Sequence, residues 1–231
     1  MEFLVTVKAV TPISLSSGQA DVNNDSDVVH DKYGLPYFPA KRLKGLLYES
    51  AVEVKEMAEA AGMKFITQQT IDELFQHAVM TEKPVIMEEK SVAHHAVVPD
   101  VQLIAENLYI EDYENIVPEL AYLEEKYTEI IRKEDVLREF TSMRYQTAIN
   151  KKTGTAQKTT LRNLRVVDED TTFSGKWEIR NAQPEHLELL ALAMQNLKAA
   201  GGKRNRGFGQ IECTMTGQEQ LVIQALGKEA V

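Results

Sequence analysis

The chain opens on alternation. Phe3, Val5, Val7 and Ala9 share one parity while Thr6 and Lys8 take the other, and a period of two predicts a strand over Phe3–Val10, ended by Thr11-Pro12. Ile13 to Asp31 is rich in Ser, Asn, Asp and Gly and reads as a polar loop, its Asp21, Asp25, Asp27 and Asp31 suited to local turns. Gly34-Leu35-Pro36-Tyr37-Phe38-Pro39 is an extended lead-in. From Pro39 or Ala40 the period changes. Leu43, Leu46, Leu47, Ser50, Ala51, Val54, Met57, Ala58 and Ala61 form one helical stripe, and Gly62 is the expected stop.

Further along, Thr70–Val79 reads as a short helix with Thr70 as N-cap and Glu73 closing a capping box. Pro84–Val92 reads as a strand. Pro118–Phe140 reads as two charged helices whose stripe is Leu120, Leu123, Tyr127, Ile130 and Ile131. Tyr145–Val167 has few apolar residues and carries the turn signal Asn150-Lys151-Lys152-Thr153-Gly154, which predicts a long β-hairpin. A strand over Phe173–Ile179 follows. A helix then begins at Pro184, with Leu187, Leu190, Leu192, Met194 and Leu197 inward and Glu185 and Glu188 in its first turn. Gln210–Met215 alternates again, and a short helical tail is expected after Gly217. Without its insertions the order is close to βαββαβ. The expected fold class is therefore α+β, a ferredoxin-like (RRM-like) sheet with two helices on one face.

Composition narrows the setting. A chain of 231 residues with 43% hydrophobic content fits one domain with insertions. It has no run of eighteen apolar residues, so no membrane partner is expected. Neither a signal peptide nor a disulfide framework is expected, because the start reads as a strand and Cys213 is the single cysteine; this points to a cytoplasmic protein. The net charge of −9 argues against nucleic acid until its distribution is considered. Thr141 to Arg165 carries six cations and no acid, and Leu189 to Ile211 four cations and no acid, whereas Leu46 to Phe140 carries 21 acids and 8 Lys or Arg. One acidic half and two acid-free basic stretches predict a single cationic surface.

The densest candidate chemistry lies in Gly201-Gly202-Lys203-Arg204-Asn205-Arg206-Gly207-Phe208-Gly209, between a helix and a strand. Glycines allow close backbone approach to a ligand, and Lys203, Arg204 and Arg206 supply donors suited to phosphate; a helix end followed by a turn is the plainer reading. Lys41, Arg42 and Lys44 crowd the first turn of the first helix, where cations oppose the helix dipole, so an anion at that helix start is expected. His94-His95 are poor co-ligands on a strand, because neighbours face opposite sides.

These residues together resemble a family. Asp25-Ser26-Asp27-Val28-Val29-His30-Asp31 follows the first loop. Gly34-Leu35-Pro36-Tyr37-Phe38-Pro39-Ala40-Lys41-Arg42-Leu43-Lys44-Gly45 is similar to a "G-x-P-x-I-P-G-S-S-L-K-G" signature. Ala148-Ile149-Asn150-Lys151-Lys152-Thr153-Gly154-Thr155-Ala156 is similar to "I-D-R-x-T-G-x-A", and the glycine loop comes last. The chain resembles a repeat-associated mysterious protein (RAMP), specifically the backbone subunit of a type III CRISPR–Cas effector complex. Ala40-Lys41-Arg42 stands for Gly-Ser-Ser, Asn150-Lys151 for Asp-Arg, and Leu74-Phe75 lacks the glycine that usually follows; the Ala-Lys-Arg-Leu-Lys-Gly variant resembles less typical type III subunits, including members of fused or III-D-like systems.

The resemblance implies a single RAMP domain. Its palm would span 1–62, 84–98 and 166–216, its helical insertions about 63–83 and 99–140, and its thumb hairpin about 145–165. It also implies guide RNA, target RNA, further copies of the chain and other effector subunits as partners. Lys41, Arg42, Lys44, Lys151, Lys152, Lys158, Arg162, Gly201, Gly202, Lys203, Arg204, Arg206 and Gly207 would bind RNA. Asp25, with Asp27 as alternative, would support target cleavage with a divalent cation such as Mg²⁺, held by Asp25. A purely structural guide-binding subunit, and a metal-independent repeat-RNA-processing endoribonuclease using His30, are the alternatives.

Overall fold

The computed structural model describes residues 1–18, 26–63, 65–76, 101–127, 132–150, 152–157 and 160–227. Its centre is β1 (Glu2–Ala9), whose alternation buries Phe3, Val5, Val7 and Ala9. β7 (Thr172–Arg180) pairs antiparallel on one side and β8 (Ile211–Met215) on the other, with Phe3 opposite Trp177 and Val7 opposite both Phe173 and Cys213. The predicted parity is thus the observed one.

Beyond β7 the sheet continues with three short strands, β2 (Tyr37–Phe38), β3 (Gln102–Ala105) and β4 (Leu108–Ile110). The order is β2-β4-β7-β1-β8, with β3 also on β7, and every pairing is antiparallel. The apolar face is covered by α1 (Ala40–Ala60) and α5 (Pro184–Asn196), which pack on each other in one continuous core. Leu43, Leu47, Ala51, Val54 and Ala58 face inward at helical spacing; burying one such leucine is worth roughly 1.5–3 kcal/mol. The α1–α5 seam has a polar tie, since Ser50 donates to the Ala193 carbonyl (2.8 Å) and accepts from Asn196 (3.0 Å). On the other face Leu4, Lys8, Lys176 and Glu212 are exposed.

Several expectations change. The segment 99–140, expected to be helical, begins with β3 and β4 and turns helical only at α3 (Tyr113–Lys126) and α4 (Lys133–Phe140). Strands of four and three residues are too short to show a period, and only pairing with β7 defines them. Gly175 at the middle of β7 makes room for their turn: a Cβ there would lie 2.7 Å from Leu108 Cδ2 and 2.8 Å from the Asn107 carbonyl oxygen. The short helix α2 (Gln68–Phe75) is capped by Thr67, whose side chain accepts from the Thr70 amide, so Thr70 is inside the helix. Glu73 reaches His186 instead of closing a capping box.

The last long helix ends at Asn196. The chain beyond it is extended, with Ala199 bridged to Gln210. Of the two acids expected in the first turn of this helix only Glu185 is there; Glu188 lies further along and is buried, as is His186. The hairpin is a separate ribbon, β5 (Thr141–Gln146) against β6 (Arg162–Val167), so pairing starts four residues before the expected boundary. Its tip is held by an Ile149–Ala156 bridge and a bond from the Gln157 amide to the Ala148 carbonyl. α6 (Gln218–Gly227) confirms the helical tail. The strand expected at Pro84–Val92, and the residues Ile130, Ile131, His94 and His95, lie outside the described residues.

Leu47 is fully buried against this core, so Leu47→Ala should lower unfolding free energy by about 2–5 kcal/mol. Exposed Ile223→Ala should change it by less than about 0.5 kcal/mol. Urea unfolding of the two variants measures this; equal losses would mean the core does not lie between α1 and the sheet.

Candidate nucleic-acid interface

The glycine loop settles on the first loop of the chain. Gly201 adopts φ +81°, and a Cβ on it would lie 2.7 Å from the Ser14 carbonyl oxygen. That contact selects glycine on two counts, conformation and space. The Gly202 amide donates to the same carbonyl at 2.9 Å. Lys203 then enters the left-handed region, Arg204–Arg206 form one 3₁₀ turn, and Gly207 closes it, again left-handed. Lys203 Nζ and Arg206 Nη1 both donate to Gln146 Oε1, at 2.9 and 3.3 Å. Gln146 ends β5, so the loop meets the ribbon with two cations on one neutral amide. The Gln146 amide oxygen is a neutral acceptor that orients Lys203 and Arg206.

Lys41 and Arg42 are exposed at the start of α1. Pro39 offers no side-chain cap there, and the Ala40 amide is taken by Asn107 Oδ1 at 2.9 Å from the turn between β3 and β4. This helix start is therefore partly capped from within, by the Ala40–Asn107 bond. Arg42 donates to the Ser16 carbonyl, which fastens the first loop to α1. Lys44 does not join them. Its ammonium lies 3.4 Å from the Leu103 carbonyl of β3 and is half-buried, which lowers its pKa from the ordinary lysine value.

Lys41, Arg42, Ser14, Ser16, Gly201 and Gly202 line a cleft of about 390 Å³. Lys41 and Arg42 also border a second, of about 660 Å³, with Asp27, His30, Tyr37 and Lys133. Asp27, His30 and Lys133 in turn border a third, of about 560 Å³, which runs under the ribbon past Arg138, Ser142, Tyr145, Asn163 and Arg165. The shared residues make this one groove, from the glycine loop across the start of α1 to the base of the hairpin.

Asp27 has well-defined partners. Its Oδ1 accepts from the Val28 amide at 2.8 Å and lies 3.0 Å from Arg165 Nε. The two side chains are 19% and 14% exposed, so the attraction is poorly screened. The guanidinium approaches out of line for a hydrogen bond from Nε, so the contact is ionic. Arg165 Nη1 donates to Thr141 Oγ1 at 3.2 Å, and its backbone amide to the Ser26 carbonyl at 3.1 Å. Asp27 thus ties the first loop to β6. Among the described residues no cluster of three or more metal-ligating side chains forms, and Asp27 Oδ1 already faces Arg165 and the Val28 amide.

Asp21, Asp25, Lys151 and Lys158 lie outside the described residues. Lys152 is exposed near the hairpin tip, its amide bonded to Asn150 Oδ1, and Arg162 is exposed at the start of β6. Sequence reasoning passed over Lys133, Arg138, Gln146 and Asn107. The first two sit in the acidic stretch, and Gln146 and Asn107 are uncharged. Only tertiary placement singles them out.

A sequence model of the RAMP superfamily matches residues 6–212. The chain belongs to the RAMP superfamily. No curated protein sequence matches it. Among solved structures it is similar to a chain in the cryo-EM structure of the type III-B Cmr-beta bound to cognate target RNA, at TM-score 0.59 and 12% identity, covering 96% of this chain and 99% of that one. A chain of the type III-B Cmr-beta in its apo state matches at TM-score 0.58 and 11% identity, covering 94% and 98%. At such identity the likeness is one of fold, and it extends from end to end. The RAMP fold seen here is a mixed α/β fold with an antiparallel sheet and, among the described residues, six α-helices.

The position of Lys44 makes a test. Its folded pKa lies below its unfolded one, so at neutral pH the folded state bears a cost of burying charge, and stability rises with pH through the window leading up to 10.5. Lys44→Met should therefore raise the melting temperature at neutral pH, by a margin that shrinks towards pH 10, and leave RNA affinity unchanged. An RNA affinity that falls as it does for Lys41→Ala would return Lys44 to the interface.

Proposed function

We propose that this chain is a guide-RNA-binding backbone subunit of a type III CRISPR interference complex. The carrying observation is the groove, which collects Lys41, Arg42, Lys133 and Arg138 from segments far apart in sequence and ends at Gly201 and Gly202 of the glycine loop. Cations gathered on one surface of an acidic protein suit an anionic polymer. The end-to-end likeness to a chain found with cognate target RNA supports the same reading. So does the strand order β8-β1-β7-β3 with α1 and α5 between its strands, the arrangement of a ferredoxin-like palm, with the β5–β6 ribbon as thumb. Guide RNA, target RNA, further copies of the chain and other effector subunits are its proposed partners.

Metal-dependent cleavage of target RNA is the finer part of the proposal, with Asp25 holding Mg²⁺. Bound there, the cation would stabilise charge developing on the scissile phosphate. Asp27 is better placed as a structural residue, because Arg165 and the Val28 amide both meet its Oδ1. That occupancy also favours the second reading, a guide-holding subunit that does not cut.

Replacing Lys203, Arg204 and Arg206 together with Ala should weaken RNA binding and flatten its salt dependence, by about one in slope for each phosphate no longer neutralised. Titrations of fluorescent RNA at several salt concentrations read this, and an unchanged slope would reduce the loop to a turn. Asp25→Asn should leave binding intact and slow target cutting by on the order of a hundredfold. Asp27→Asn should instead lower the melting temperature, since Arg165 is then left without its counter-ion. Full cleavage by Asp25→Asn would leave the scaffold reading.

A further inference from the structure

β8 is the outer strand at one end of the sheet, so one of its edges faces away from β1. The register shows which main-chain groups lie on that edge. The Val10 amide donates to the Gln210 carbonyl at 2.9 Å, and the Thr216 amide to the Leu4 carbonyl at 3.1 Å. The even-numbered residues of β8 therefore bond to β1, and Ile211, Cys213 and Met215 turn their N–H and C=O groups outwards. Two of these three amides are taken. The Ile211 amide donates to the Lys198 carbonyl at 3.0 Å, and the Met215 amide to Gln218 Oε1 at 2.9 Å. Among the described residues nothing pairs with the amide or the carbonyl of Cys213, although this residue is only 4% exposed.

Sheet edges are commonly blunted against chance pairing, and the two occupied amides fit that plain account. Cys213 does not fit it. A buried main-chain group without a partner is rare and costly. The unpaired groups also face open space, because Cys213 and Met215 line a slot of about 660 Å³ with Gln195, Lys198, Gln218 and Glu219. This slot shares no residue with the groove. Lys198, which belongs by sequence to the basic stretch of the glycine loop, lies here instead.

The two ends of the slot differ. At the Ile211 end Ala199 bridges Gln210, and the Lys198 main chain takes the lane that a further strand would follow. At the Met215 end the obstacle is only the side chain of Gln218. A strand laid beside Cys213 must therefore stop at Lys198. Charge decides its direction. Lys198 and Glu219 are exposed, and among the described residues neither has an ion-pair partner. A strand antiparallel to β8 brings its carboxyl end to Lys198 and an upstream residue to Glu219. A parallel strand brings its amino end to Lys198, cation against cation. Ile223 and Leu226 follow Glu219 at helical spacing and are exposed, so the upstream part of an antiparallel strand also meets apolar surface.

We propose that the free edge of β8 receives the C-terminal tail of another protein chain. The tail adds as an antiparallel strand, pairs one residue with Cys213 through both main-chain groups, and sets its terminal carboxylate on Lys198. A lone tail suits so short a lane. The β8 of a second copy would bring its own α5 and α6 to the same edge.

Cys213 is the only cysteine, so the full chain labelled with ¹⁵N-cysteine gives one amide signal, that of Cys213. The probe is the hexapeptide Ser-Arg-Thr-Val-Thr-Val with a free carboxylate. It is compared with the same peptide amidated, and with versions N-methylated at each of the last three residues in turn. The free acid should move the Cys213 signal and slow its hydrogen exchange. The amidated peptide should bind about tenfold more weakly, and one N-methylated version should fail. Lys198→Gln, an exposed substitution, should keep the Cys213 signal and lose the preference for the free acid. A signal that the free acid leaves in place, equal binding of acid and amide, tolerance of all three methylations, or a preference kept in Lys198→Gln would each overturn the proposal. So would a Cys213 amide that exchanges slowly without peptide, which would mean cover by this chain itself. A signal that moves with protein concentration alone would assign the edge to a second copy and overturn it too.

Discussion

The seat of Gly201 on the Ser14 carbonyl is the contact on which the groove depends. The first loop and the glycine loop are almost two hundred residues apart in sequence, yet the Gly202 amide bonds the Ser14 carbonyl. Loop closure over such a separation carries an entropic cost, and the β1–β8 pairing has already met it. The glycine contact then needs only local fit. From that junction the first loop is fastened at two more points, by Arg42 at Ser16 and by Arg165 at Ser26 and Asp27. A loop with few apolar residues is thereby held at both ends by backbone carbonyls and one ion pair, and every anchor borders the groove.

The groove also puts its cations to two different uses. Arg165 faces the carboxylate of Asp27, whereas Lys203 and Arg206 share the neutral amide oxygen of Gln146. The first arrangement offsets charge and makes a strut; the second orients two cations around an acceptor that offsets none. Net charge says nothing of this difference, which is why an acidic protein can present a cationic surface.

Much of the fold was legible in the sequence because long elements repeat their signal. Four alternating positions from Phe3 to Ala9 fix the parity of β1, and five inward positions fix the face of α1. The short elements were not legible. β3 and β4 have too few residues for a period and exist because β7 needs neighbours. The candidate site divides in the same way. Lys41, Arg42 and the glycine loop announced themselves by density of charge and glycine, and they do line or border the groove. Lys44 sits within the same basic run but turns to Leu103, since helical phase and not proximity in sequence decides where a side chain goes. Lys133 and Arg138 were masked by the acids around them. Asp27 was read for its carboxylate alone, because its partner Arg165 comes from a strand far downstream.

Gly175 lies in the middle of the sheet and lines no part of the groove, yet its influence reaches it. Its missing side chain lets the β3–β4 turn lie against β7, and that turn carries Asn107, which holds the first amide of α1. A substitution there would press on the turn and move the cap, and with the cap the helix start that presents Lys41 and Arg42. The tolerance of position 175 is thus set by two demands at once, close packing in the sheet and the aim of a helix on its far side. A demand made at the start of α1 therefore reaches a residue that touches neither Lys41 nor Arg42.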